Sequence, residues 1–103
     1  MNIKITGTGS YIPANVEKNE DFHNHEFLNS DGSAIKAPNE VIVKKFKAIT
    51  GIAERRYSKD HLNTSDIASF AAEKAIENAN IDREDLDYII VAHNYGDVRH
   101  DSI

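Results

Sequence analysis

The imidazole and carboxylate groups of this sequence fall into two clusters, the first places where chemistry could reside. Asp21, His23 and His25 make one; His93, Asp97, His100 and Asp101 make the other. Groups of this kind ligate divalent metals or relay protons. His23 and His25 stand two apart, however, and side chains two apart on a helix do not share a face. The second cluster follows an apolar run, near the carboxyl end of a candidate parallel strand, where α/β proteins often hold ligands. It shows no defined ligand spacing and reads as a solvated loop. No metal is expected at either.

Gly7-Thr8-Gly9 suggests a phosphate-cradling loop, but the third glycine is absent and no helix opens directly after it. A structural turn is the better reading. Glu54-Arg55-Arg56 offers guanidinium forks that suit phosphate, although an internal ion pair or a subunit contact accounts for them more simply. Tyr88 and Tyr95 read as core and rim residues rather than acid-base groups. The sequence has no cysteine, which excludes a disulfide frame, a thiolate nucleophile and a thiolate metal site. Covalent chemistry through sulfur is excluded, and no cofactor is expected.

The elements that would position these residues begin at Ile3 to Thr8, where Ile3, Lys4, Ile5 and Thr6 alternate as in a strand with one buried face. Pro13 holds Ile12 out of the helical region. A polar stretch follows, with a short helix near Asp21 to Leu28 and a turn over Asn29 to Ser33. Pro38 and Asn39 introduce a helix over Glu40 to Ile49, which Gly51 ends. Ala53 to Ser58 is extended or looping. The clearest helix runs from Ser65 to Ala79, capped by Thr64 or Ser65, with Asp66 near the positive end of its dipole. Its stripe of Ile67, Ala68, Ala71, Ala72, Ala75, Ile76 and Ala79 is mostly alanine, which lets another backbone come close. Asn80 terminates it and Asp82 caps a further turn. Leu86 to Ala92 is apolar on both faces from Tyr88 onward, as in a parallel strand covered on both sides.

Strand, helices and buried strand in that order define an α/β class. Two strands alone make a marginal sheet with unpaired edges, so the chain is expected to be truncated, and alone to pair with itself or be partly unfolded. At 103 residues it is one domain at most. The formal net charge of -5 argues against nucleic acid as a partner, and Lys44, Lys45 and Lys47 read as a solvated helix face. No window is long and apolar enough for a signal peptide or a membrane span. A cytoplasmic location with no membrane partner follows by default.

Four segments, in order, carry a resemblance. GTGSYIP at Gly7 to Pro13, TGIAERR at Thr50 to Arg56, TSDIASFAAEKAIENANI at Thr64 to Ile81 and DLDYIIVAHN at Asp85 to Asn94 resemble the amino-terminal third of 3-oxoacyl-acyl-carrier-protein synthase III, a thiolase-fold family. The resemblance implies that residues 1–103 are a partial thiolase-like amino-terminal domain, incomplete in this chain and cut before the nucleophile region. The whole enzyme would be a cytoplasmic acyltransferase of fatty acid biosynthesis. It would perform a decarboxylating Claisen condensation between an acyl thioester and malonyl-acyl-carrier protein, most simply as a homodimer. The family's cysteine, histidine and asparagine all lie beyond this chain, so the fragment would be inactive.

For sites, the resemblance implies substrate binding at Thr50, where the family has a threonine near coenzyme A. Lys45 and Ile49 stand where the family has an adenine-stacking tryptophan and an adenine-gripping arginine. Ala53 replaces a basic residue. The donor is thus an acyl thioester on either coenzyme A or a carrier protein. A reading from another class is a stand-alone, non-catalytic interaction module derived from this fold.

Overall fold

In the computed structural model, which describes residues 1–98, the hydrogen-bonded elements are β1 (Asn15–Lys18), α1 (Asn39–Thr50), β2 (Glu54–Tyr57) and α2 (Thr64–Ala79). Single 3-10 turns lie at Asn19–Phe22 and Arg83–Asp85. Contacts divide the chain into two units: Met1–Ile12 with the chain from Ser58, and Pro13–Tyr57.

In the first unit, α2 is the scaffold. Its start is set by Asp66, whose carboxylate accepts the Asn63 backbone N–H at 2.7 Å. The cap is therefore Asn63, one residue before the expected Thr64 or Ser65. The helix ends at Asn80, which takes the left-handed conformation at φ 54, as a short polar side chain can. Beyond it, the Asp82 carboxylate accepts the Glu84 N–H at 3.0 Å, the expected second cap.

Along the alanine face of α2 lies Met1–Ile12, running opposite to the helix. A Cβ on Gly7 would fall 2.6 Å from the Ala79 nitrogen, and one on Gly9 would strike the backbone of Ala75 and Ala71. Tyr11 then meets Phe70, ring centroids 5.0 Å apart, beneath Lys74. Two residues of extended chain advance ~6.6 Å and four residues of helix ~6 Å. Each alternate residue of the segment thus meets the next turn of α2. Thr8, between the glycines, donates its N–H to Asn78 Oδ1 at 3.1 Å.

From Leu86 to Asp97 the chain returns along α2, also opposite to its direction, because Leu86 follows the turn past the helix end and Asp97 reaches Ser65 at its start. Two arms running the same way beside one helix is the layout of a β-α-β unit. The strands themselves do not form. Neither Ile3–Thr8 nor Leu86–Ala92 makes a ladder hydrogen bond among the described residues, so both expected strands are corrected to unpaired arms. The second is not buried either: Ile90 is 92% and Tyr88 87% exposed, which corrects Tyr88 from core to surface. The reason is that a strand needs a neighbour, and no described segment supplies one. Gly7-Thr8-Gly9, likewise, is no turn but a line of close backbone approach.

The second unit holds the only buried apolar side chains among the described residues, Ile42 and Val43, each 7% exposed and both on α1. Gly51 ends α1 at φ 70, where the missing Cβ removes the steric penalty, and donates its N–H to the Lys47 carbonyl at 2.8 Å. β1 and β2 pair antiparallel, with Glu17 opposite Arg55 and Lys18 opposite Glu54. Opposite charges across a ladder favour this register. Loops are stapled by asparagines: Asn39 donates to the carbonyls of His23 and His25, both at 2.7 Å, and Asn19 to that of Ile52 at 2.9 Å. The turn at Asn29 to Ser33 forms as expected, with Gly32 at φ 88. Only a 3-10 turn stands where a helix near Asp21 to Leu28 was expected.

The structure is mixed α/β. Among the described residues no helix is long and apolar enough to cross a membrane. Gly9→Val should force the amino-terminal arm off α2, costing about 1–3 kcal/mol as overpacking does. The measurement is hydrogen exchange at the Thr8 amide, expected to lose protection while α1 amides keep theirs.

Candidate functional site

Thr50 closes α1, and its hydroxyl serves the fold. It donates to the Phe46 carbonyl at 2.8 Å and accepts the Ile52 N–H at 3.1 Å. A hydroxyl has one proton and two lone pairs, so one lone pair remains for a ligand. Thr50 lines a pocket of ≈ 400 Å³ with Asn19, Phe22, Val43, Arg55 and Tyr57, among others. Along its wall runs a row of rings: Phe22 to His25 at 5.2 Å, His25 to Phe27 at 5.8 Å and Phe27 to Phe46 at 5.7 Å. His25 is thereby an aromatic packing residue. Asp21 instead accepts the Lys18 N–H at 2.7 Å and caps its own turn. The first sequence cluster is thus taken apart.

Lys45 and Ile49 lie on a different stripe of α1, one turn apart and with Val41 one turn before them. Ile49 is 74% exposed. This stripe presents an apolar edge with one ammonium and no aromatic face. Arg56 approaches Glu54 at 3.9 Å and donates to the Pro13 carbonyl at 3.4 Å, so the expected internal ion pair forms at the surface.

The second cluster behaves differently. Asp97 docks on the first turn of α2: Oδ1 accepts the Ser65 N–H at 3.0 Å and Oδ2 accepts the Ser65 hydroxyl. Beside it, the Thr64 hydroxyl donates to the Tyr95 carbonyl at 2.7 Å. Donation from the Ser65 hydroxyl first, then from the Ser65 N–H, with the nearby His93 imidazole adding a smaller charge effect, holds the Asp97 carboxyl below its usual range. The expected solvated loop is corrected to a fixed hook on a helix terminus, where carboxylates are favoured. A pairing across 32 positions left no local trace in the sequence. His100 and Asp101 lie outside the described residues. Among the described residues no group of three or more potential ligands is arranged to hold a metal.

Between α2 and the returning arm opens an apolar groove of ≈ 810 Å³, walled by Ala68, Ala72, Ile76, Leu86, Ile89 and Val91. Alternate arm residues face it, while Tyr88 and Ile90 are the most exposed. The groove offers apolar surface between two polar ends, Ser65 with Asp97 at one and the Arg83 to Glu73 ion pair, 3.2 Å, at the other.

The arrangement is that of one α/β layer, a helix flanked by two strand-like arms. No family model matches the chain. Individual relatives do. The chain is 41% identical over 92 residues to beta-ketoacyl-acyl-carrier-protein synthase III 1 of Vibrio cholerae, covering 89% of this chain and 25% of the relative. With the synthase III of Staphylococcus haemolyticus it shares 38% over 103 residues, 100% of this chain and 29% of the relative. With that of Clostridium botulinum strain Loch Maree the figures are 43% over 91 residues, 88% and 24%. The resemblance to 3-oxoacyl-acyl-carrier-protein synthase III is therefore real and runs along nearly the whole chain. The chain spans about a quarter of the length of these curated relatives.

Because the Asp97 carboxyl ionises below its unfolded value near ~3.9, the hook stabilises the arm above that pH and is lost as pH falls through the lower folded value. Acidification through that lower value should release the Ser65 amide, followed by its NMR shift. Asp97→Asn should remove this acid step and leave α1 resonances in place.

Proposed function

We propose that this chain is the amino-terminal part of an acyl-condensing enzyme of the 3-oxoacyl-acyl-carrier-protein synthase III type, a cytoplasmic, homodimeric acyltransferase of fatty acid biosynthesis. The observation that carries this reading is the identity of roughly two residues in five along nearly the entire chain with enzymes of that name. In this reading the arms Ile3–Thr8 and Leu86–Ala92 are strands of a thiolase-like sheet whose other strands come from the remaining three quarters of the protein. Their unsatisfied edges and exposed apolar faces are what such an arrangement requires.

The whole enzyme takes an acyl group from a thioester, on coenzyme A or on a carrier protein, and condenses it with malonyl-acyl-carrier protein. A thiolate attacks the acyl thioester and releases the donor thiol. Loss of carbon dioxide from the malonyl group then generates the carbanion that attacks the acyl-enzyme. Dividing the reaction this way replaces one difficult step by two easier ones. The nucleophile belongs to residues outside this cysteine-free stretch. Within it, Thr50 touches the donor through the lone pair left free by Phe46 and Ile52.

The 103-residue chain given acyl and malonyl thioesters should form no ketoacyl product above background; product would refute the reading. In the encoding DNA the frame should run on past Ile103 to a cysteine, then to a histidine and an asparagine, and a stop codon directly after Ile103 would favour the non-catalytic module instead. In the whole enzyme, Thr50→Val should raise KM for the acyl donor about 5- to 10-fold with kcat little changed, the loss of about 1–1.5 kcal/mol from one hydrogen bond. Thr50→Ser should restore it.

A further inference from the structure

The face of α1 turned away from its own unit has a composition that solvation alone does not explain. Ile42 and Val43 are buried, which sets the opposite face at Val41, Lys44, Lys45 and Ala48, with Lys47 and Ile49 at its edges; all six are exposed. Val41 is 53% and Ile49 74% exposed. Apolar and cationic side chains are thus interspersed along about 12 Å of helix, at 1.5 Å per residue from Val41 to Ile49. The three ammonium groups enter neither of the two ion pairs among the described residues, and Glu40 is the only carboxylate on the helix. Lysine is almost never buried without a partner. Unlike the apolar arms, this face therefore stays at the surface when the rest of the protein is present.

We propose that this face docks an acidic helix of a carrier protein, and that the acyl donor arrives on that carrier rather than on coenzyme A. Such docking presupposes the condensing enzyme proposed above and narrows its donor to one of two. Charge complementarity selects the partner: on a chain of formal net charge -5, three unpaired ammonium groups on one helix make a local positive field that attracts and orients an acidic surface. Val41, Ala48 and Ile49 between them meet the apolar stripe of an amphipathic helix. A nucleotide finds less here, because the face has no ring to stack a base and no guanidinium fork to hold a phosphate. A bilayer finds less too, since Ile42 and Val43 are buried in their own unit and Phe46 packs on Phe27 at 5.7 Å. The face ends at Ile49, next to Thr50, so a carrier seated on it brings its thioester toward the hydroxyl that borders the pocket. In the transfer the acyl carbon bonds to the enzyme thiolate and its bond to the carrier sulfur breaks. The carrier leaves as a thiolate, which takes up the proton the enzyme thiol gave up.

Acylation of the whole enzyme, followed by the mass of the intact protein with no malonyl thioester present, isolates the donor step. The same acyl group is offered on an acidic acyl carrier protein and on coenzyme A. The carrier-bound donor should acylate the enzyme with a second-order rate constant about tenfold or more above that of the coenzyme A thioester, an advantage that shrinks with added salt. Lys44→Glu combined with Lys47→Glu should raise the half-saturating concentration of the carrier-bound donor about tenfold and leave acylation from coenzyme A unchanged. Lys44→Arg combined with Lys47→Arg should behave as the unaltered enzyme. Circular dichroism checks that each variant keeps its helices. Equal or faster acylation from coenzyme A, or a charge-reversed variant that alters both donors alike or neither, would overturn the proposal and leave the condensing enzyme intact. Acylation from neither donor would overturn the catalytic reading and this proposal with it.

Discussion

The first unit rests on the approach of two glycines to an alanine-lined helix. Met1–Ile12 has no ladder to hold it; it is attached by the Thr8 to Asn78 hydrogen bond, the Tyr11 to Phe70 ring contact and backbone laid on backbone at Gly7 and Gly9. That contact is possible only because neither partner carries bulk. Dispersion per atom pair is small, about 0.1–0.2 kcal/mol, but many pairs contribute when surfaces meet this closely. The match between two residues of arm and one helical turn repeats the contact at Gly7, Gly9 and Tyr11. The same helix then receives the second arm, so both arms take their spacing from it.

The second unit is organised by polar staples more than by a core. With only Ile42 and Val43 buried, and those still 7% exposed, asparagine side chains at 19 and 39 hold the loops by their carbonyls, and a row of four rings lies beside α1. Thr50 sits where these features meet. A group whose hydroxyl terminates a helix and also borders a pocket is well positioned to touch a ligand, because its orientation is already set by two hydrogen bonds.

Features encoded by local signals were legible in the sequence. Both helices, the Gly51 and Asn80 terminations, the Asp82 cap and the Asn29 to Ser33 turn depend on residues within a few positions of one another. The run Asn63-Thr64-Ser65 offers three adjacent capping residues, and only the reach of Asp66 selects the first. Pairings over long separations were not legible. β1 and β2 are polar, four residues each and far apart in sequence, so no periodicity announces them. The Asp97 hook is invisible for the same reason. The two arms show the opposite case: Ile3–Thr8 alternates and Tyr88–Ala92 is apolar on both faces, yet such patterns state only that a segment can be a strand, and hydrogen bonds require a neighbour. For the site, Thr50 could be picked out only through the family resemblance, since nothing in its own surroundings marks it.

The hook also makes the second arm a measured length. One end is fixed by the turn at Arg83–Asp85 and the other by Ser65, so the number of residues between them must match the helix they span. Adding or deleting a single residue there would either pull Asp97 from its seat or swap which side chains look inward, since side chains in an extended chain alternate. Exchanging one apolar side chain for another would do neither. Among descendants of this sequence, indels between positions 86 and 97 should be far rarer than substitutions, the reverse of what an exposed loop would tolerate.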